Sequence, residues 1–160
     1  YFILSSNARI FSIRSIHQIL KSDFPNIALT TVARFIEYLK NAYIIDEIAQ
    51  FSTKTKRELR YYGKIYNCDV AFNSLRALNN RYDLDHNLEN IVYNELLYMG
   101  YELKVFDNKG KAIDFLATKG GKTYLVQVAY SVVDETAYNR EFSAFSNIDN
   151  TNQKILITNV

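Results

Sequence analysis

The sequence predicts a mixed α/β chain of the α+β kind, built as two units, and three observations carry the prediction. Two apolar runs at helical spacing are followed by two β-type runs around a basic tip. A polar stretch from Asn79 to Asp85 then coincides with a change in charge: residues 1–80 carry a balance of +5 and residues 81–160 a balance of −3. Beyond it, one helical run, three β-rich runs, a second helical run and a last β-rich run give the order α-β-β-β-α-β.

Each element of the first unit has a local reason. From Ser12 to Lys21, Ile13, Ile16, Ile19 and Leu20 recur at helical spacing, with Ser12 as the expected N-cap. Ser22-Asp23-Phe24-Pro25-Asn26 breaks that helix, and Pro25 is the only proline in the chain. A second helix is expected from about Thr30 to Asn41, with Val32, Phe35, Ile36 and Leu39 on its core face. Tyr43-Ile44-Ile45, with Ile48 and Phe51 beyond, reads as a strand. A basic hairpin tip from Ser52 to Arg60 and a returning strand from Lys64 to Val70 follow. Two helices across a short turn and then a two-stranded wing describe a winged helix-turn-helix over residues 1–79.

The second unit, residues 80–160, opens with a helix from His86 to Met99 that ends at Gly100, a natural C-cap residue. The runs Tyr101–Phe106, Lys111–Thr118 and Thr123–Ser131 read as strands. Asp107-Asn108-Lys109-Gly110 and Lys119-Gly120-Gly121-Lys122 supply hairpin turns between them. Asp134 to Ile148 is expected to be helical, and Lys154–Val160 forms the last strand.

Composition narrows the classes. With 48% apolar and 22% charged residues the chain has ordinary globular balance, and no apolar run approaches the roughly 20 residues that span a bilayer. The single cysteine, Cys68, forms no internal disulfide, which points to a cytoplasmic protein without a membrane partner. Residue one is Tyr1 and the only methionine is Met99, so the chain is expected to be a fragment of a longer protein. His17 and His86 have no second ligand at metal spacing, and no serine stands in a nucleophile motif with them. No cofactor is expected for the fragment itself.

Chemistry, if present, is expected in the second unit. Glu95 shares a helix face with Leu88, Ile91, Val92 and Met99, where a carboxylate is costly unless paired, liganded or neutralised. Asp114 stands between Ile113 and Phe115 on the second strand, and Gln127 and Ala129 share one face of the third. An isolated carboxylate at such a place is ordinarily solvated or capping. Three polar side chains at these places in this element order are more specific, because antiparallel neighbours would bring Asp114 and Gln127 together beneath Glu95.

In this pattern the second unit resembles the PD-(D/E)XK, restriction-endonuclease-like superfamily. More narrowly, the chain resembles the C-terminal part of prokaryotic AAA-type ATPases that end in a nuclease-like domain of unknown function. The match rests on Thr31-Val32 through Glu37-Tyr38-Leu39 and Ala42-Tyr43-Ile44-Ile45 in the first half. It continues through Leu88-Glu89-Asn90, Glu95-Leu96, Gly100-Tyr101, Ile113-Asp114-Phe115 and Gln127-Val128-Ala129-Tyr130-Ser131. The resemblance implies nuclease positions at Glu95, Asp114 and Gln127, with Ala129 where the family has lysine. Magnesium chemistry of that kind needs several anionic oxygens and a cation beside the attacking water. Glu95 and Asp114 alone could serve a metal, and Lys104 or Lys111 would have to replace the lysine, so the site reads as catalytically degenerate. The resemblance also implies a P-loop ATPase domain of the same polypeptide as partner, with ATP and magnesium as its cofactors. No G-x-x-x-x-G-K-[ST] motif occurs in this chain.

The first unit is the candidate nucleic-acid surface. Thr31, Arg34, Tyr38 and Asn41 lie away from the predicted core face of the second helix, where a recognition helix would meet DNA. Lys54, Lys56, Arg57, Arg60 and Lys64 make the densest basic cluster, at or near the wing. The expected function is a non-catalytic recognition or regulatory module of an AAA-type ATPase, with DNA as a candidate partner of the winged helix. The alternatives are a metal-dependent nuclease and a protein–protein assembly module, the latter open to oligomers.

Overall fold

The computed structural model describes residues 3–4, 7–52, 63–79, 83–108, 111–146, 148 and 151–159. They form a mixed α+β fold around one seven-stranded sheet of order β1-β3-β2-β4-β5-β6-β7. The strands are β1 (Ile10–Phe11), β2 (Ile45–Ser52), β3 (Gly63–Asn67), β4 (Glu102–Asn108), β5 (Lys111–Lys119), β6 (Lys122–Ala129) and β7 (Gln153–Thr158). The helices are α1 (Ile13–Leu20), α2 (Leu29–Asn41), α3 (Leu84–Tyr98) and α4 (Glu135–Phe142). A 3₁₀ helix spans Val70–Asn79, so the strand expected to reach Val70 ends at Asn67, and a short one, Ser143–Phe145, extends α4. No helix among the described residues is long and apolar enough to cross a membrane.

Local chemistry accounts for the ends of these elements. Ser12 and Ser15 form a reciprocal capping box at the start of α1, and Asp83 caps α3 by accepting the His86 N–H. After α3, Gly100 takes φ +82°, a left-handed conformation that L side chains resist. Gly120 and Gly121 are also left-handed, at +58° and +75°, as a two-residue turn of mirror type between Lys119 and Lys122 requires. The second helix and its strand shift slightly from expectation. Tyr43 sits at positive φ in the turn, so β2 starts at Ile45.

β2 joins the halves. Its residues Ile45 to Ala49 pair antiparallel with β3, and Gln50 to Ser52 pair parallel with β4. The boundary expected near residue 80 therefore falls in chain connectivity, while the sheet runs through it. Three apolar clusters pack on this sheet. Phe11, Ile16, Val32, Ile36, Ile45 and Ile65 hold α1 and α2 to β2 and β3. Tyr66, Val92, Tyr93, Leu103, Val105 and Phe115 belong to the cluster under α3. Ile113, Leu125, Ala144 and Phe145 form the third, beside α4.

Alternation along β3 makes it the hinge of this packing. Ile65 enters the cluster of α1 and α2, whereas Lys64 and Tyr66 turn to α3. A one-residue shift does the same for β5. Lys104 pairs with Leu116 but Phe106 with Ile113, so β5 carries an extra residue opposite Val105. Ile113 and Phe115 consequently join different clusters, and the bulge re-aims Asp114.

Candidate functional site

The charged centre of the molecule is a buried group of three side chains from three elements. Lys64 of β3 places its Nζ 2.7 Å from Glu89 Oε1 of α3 and 2.9 Å from Asp114 Oδ1 of β5. Lys64, Glu89 and Asp114 are only 6%, 8% and 7% exposed. Two further bonds reach the carboxylates. Tyr66 donates its hydroxyl to Glu89 Oε1 at 2.6 Å, and Asp114 Oδ2 accepts the Val128 N–H at 3.0 Å. Tyr66 stacks on Tyr93 with ring centroids 4.0 Å apart, and both rings lean on Phe115. The ion group thus lies against an aromatic wall.

Electrostatics follow from that enclosure. Burial alone would pull the Lys64 ammonium down, but the charges of Asp114 and Glu89 and their hydrogen bonds carry it above its ordinary 10.5. Burial, with the like charge of Asp114, raises the Glu89 carboxyl against the opposing pull of Lys64 and Tyr66. The Tyr66 hydroxyl is driven far up by burial first and then by Glu89. Lys64 therefore stays cationic, and each carboxylate keeps it as a neighbour. Buried pairs of this sort are strongly destabilised when one partner is removed, typically by about 3–5 kcal/mol.

A seam of asparagines continues the group along α3. The Asn90 side chain accepts the Asn67 N–H at 3.1 Å and donates to the Asn67 carbonyl at 2.9 Å, imitating a neighbouring strand at the end of β3. The Asn94 amide bonds the carbonyls of Asn67 and Cys68. Asn73, from the 3₁₀ helix, donates to Asn87 and accepts from Asn67. Tyr93 donates to Asp46 of β2 at 2.7 Å. These bonds fix α3, from the second half of the chain, to β2, β3 and the 3₁₀ helix of the first.

The residues singled out from the sequence are distributed differently. Asp114 is at the centre. Glu95 is not: it lies on the exposed side of α3, and the helical carboxylate beside Asp114 is Glu89. The buried stripe is Glu89, Val92, Tyr93 and part-buried Leu96, whereas Ile91 and Met99 are exposed. α3 is thus rotated from the face that its aliphatic residues suggest, because β3 offers partners for Glu89 and Asn90. Gln127 accepts the Asp114 backbone N–H at 3.4 Å, but its amide donates to Glu141 of α4 at 3.3 Å. It meets the main chain of Asp114 and contributes no oxygen to the carboxylates. Ala129 is buried and apolar.

Lysine placement also departs from expectation. Lys104 pairs with Glu102 near the surface, while the lysine that reaches the carboxylates is Lys64. Lys64 was grouped with the basic tip; it is an internal residue. The rest of that cluster, Lys54, Lys56, Arg57 and Arg60, lies outside the described residues. On α2, Arg34 and Tyr38 are exposed and Thr31 is half-buried. Phe35, expected in the core, is 49% exposed. Among the described residues no three His, Cys, Asp or Glu side chains converge on a point that could hold a metal.

The chain is similar in sequence to two uncharacterised proteins. The chain is 30% identical over 128 residues to an uncharacterised protein of Haemophilus influenzae, covering 80% of the chain and 31% of that protein. It is 32% identical over 163 aligned positions to an uncharacterised protein of Methanocaldococcus jannaschii, covering 95% of the chain and 35% of that protein. The chain therefore spans about a third of the length of the curated relatives it matches. No family model and no solved structure matches it.

Proposed function

We propose that this chain is a non-catalytic recognition or regulatory module of a longer protein, which the sequence resemblance suggests is an AAA-type ATPase. The observation that carries the reading is the closed Lys64–Glu89–Asp114 group. A nuclease metal needs carboxylate oxygens open to it and to substrate. Here the two carboxylates are buried, share one ammonium and accept further bonds from Tyr66 and Val128. Gln127 and Ala129 add no anion and no cation to them. Both carboxylates are turned to one ammonium, so no cleavage step is derived from them.

Further support comes from the order β1-β3-β2 beneath α1 and α2, which agrees with a winged helix. The helix–strand–strand–strand–helix–strand order from α3 to β7 agrees with a nuclease-like frame. In this reading ATP and magnesium belong to the remainder of the longer protein, and the module acts on its turnover. The test is to measure ATP hydrolysis of the longer protein with and without residues 1–160. Unchanged turnover, with and without duplex DNA present, discards the reading.

One observation favours a second reading, a metal-dependent nuclease: a lysine and two carboxylates meet at one point, the residue types that such enzymes use. Glu89, Asp114 and Lys64 would be its residues, not Glu95. Magnesium- or manganese-dependent cutting of supercoiled plasmid, lost in Asp114→Ala and kept in Glu95→Ala, would establish it. DNA binding by Thr31, Arg34, Tyr38 and the basic tip Lys54, Lys56, Arg57 and Arg60 has its own signature. Retention should weaken steeply with salt and with neutralisation of Lys56, Arg57 and Arg60.

A further inference from the structure

An apolar groove of about 760 Å³ opens between the end of α1, the 23–27 turn and the start of α2, walled by Leu20, Phe24, Pro25, Ile27, Thr31 and Phe35. Phe24 is 60% exposed and Phe35 49%. Two large aromatics lining one groove make it a candidate contact surface. Phe35 also sits at the helical phase of Val32, Ile36 and Leu39, a position suited to burial that the described residues do not supply.

The groove is preformed. Phe24 N–H donates to the Leu20 carbonyl at 2.8 Å, Ile27 N–H to the Phe24 carbonyl at 3.0 Å, and His17 Nε2 lies 2.9 Å from the Ile27 carbonyl. A turn held this way presents its side chains with little ordering left to lose on binding. Among the lining residues the one charge is that of Asp23, which opposes a polyanion and leaves apolar surface as the attraction. The relatives carry about two thirds of their length outside the region that matches this chain.

We propose that this groove receives an apolar segment from the part of the longer protein outside the matched third, making it the cleft by which the module docks within its own polypeptide. The inference rests on the modular reading above and names its contact surface. The occupant places aliphatic or aromatic side chains between Phe24 and Phe35, as an amphipathic helix or short apolar loop does.

Hydrogen exchange on the longer protein and on the 160-residue chain tests it. Amides of residues 20–36 should exchange at least about tenfold more slowly in the longer protein. Phe35→Arg in the longer protein should return them to the rates of the 160-residue chain, while leaving the unfolding midpoint of that chain in place. Equal exchange in the two forms overturns the proposal. So does protection that needs added duplex DNA, or that arises in the 160-residue chain from self-association at high concentration. If residues 20–36 stay unprotected while ATP turnover still depends on the module, the docking cleft fails and the modular reading stands. If they are protected and the chain also cuts plasmid, the cleft stands and the non-catalytic reading fails.

Discussion

The Lys64–Glu89–Asp114 seam and the Phe24–Phe35 groove invert hydropathy in opposite directions. In the seam three charges are buried, and in the groove two phenylalanines are left in water. The seam is tolerable because its partners are present: each charge finds an opposite charge or a donor within hydrogen-bond distance. The groove has no such completion among the described residues. Hydropathy is thus obeyed only after partners are counted, and the two exceptions locate where the described residues are internally finished and where they are not.

The largest effect expected from this contrast is at the seam. Lys64→Met should destabilise the chain by about 3–5 kcal/mol in urea or thermal unfolding, because two carboxylates are left buried without their cation. Adding Glu89→Gln and Asp114→Asn should recover much of that loss. Wild-type stability in the single variant would remove the seam as a structural lock.

Tyr66→Phe comes next. It deletes one hydrogen bond to a charged acceptor and should cost about 1.5–3 kcal/mol by the same measurement. The same variant sharpens a pH prediction. Lys64, Tyr66 and Tyr93 all hold their protons above their ordinary values of 10.5, 10.0 and 10.0 when folded. The unfolded chain releases them from about pH 10, so the folded state binds more protons there. Stability should be intact below that pH and fall as pH rises, by up to about 1.4 kcal/mol per pH unit for each group. Tyr66→Phe should flatten the slope; an unchanged alkaline slope would contradict the assignment.

The smallest effects belong on the exposed sides. Glu95→Gln should shift stability by no more than about 0.5 kcal/mol, in contrast to Glu89→Ala six residues earlier. Phe35→Ser in the 160-residue chain should stay near the same range, since half of the ring is already in water. A loss comparable with Lys64→Met at either position would collapse the distinction between seam and surface.

Much of the fold was legible along the chain. Ser12, the Gly100 stop and the Gly120-Gly121 turn act through their immediate neighbours, so local chemistry identifies them. The candidate site was legible only in part. Asp114 stood out as a carboxylate inside an apolar strand. Glu89 did not, because a Glu-Asn pair on a helix ordinarily marks the wet side. Its one signal was spacing: Glu89 shares a face with Val92, Tyr93 and Leu96. Lys64 had a comparable signal in its period-two relation to Tyr66, masked by the basic run before it.

By itself the sequence determined the mixed class and the succession of the four helices and six longer strands, since these depend on propensity, capping and period. Tertiary structure decided which face of α3 is buried, that β2 joins both halves into one sheet, and that an extra residue in β5 turns Asp114 toward Lys64. The physical reason is that a buried charge is permitted only by its partner. Lys64 lies 25 residues from Glu89 and 50 from Asp114, a pairing that no local window contains.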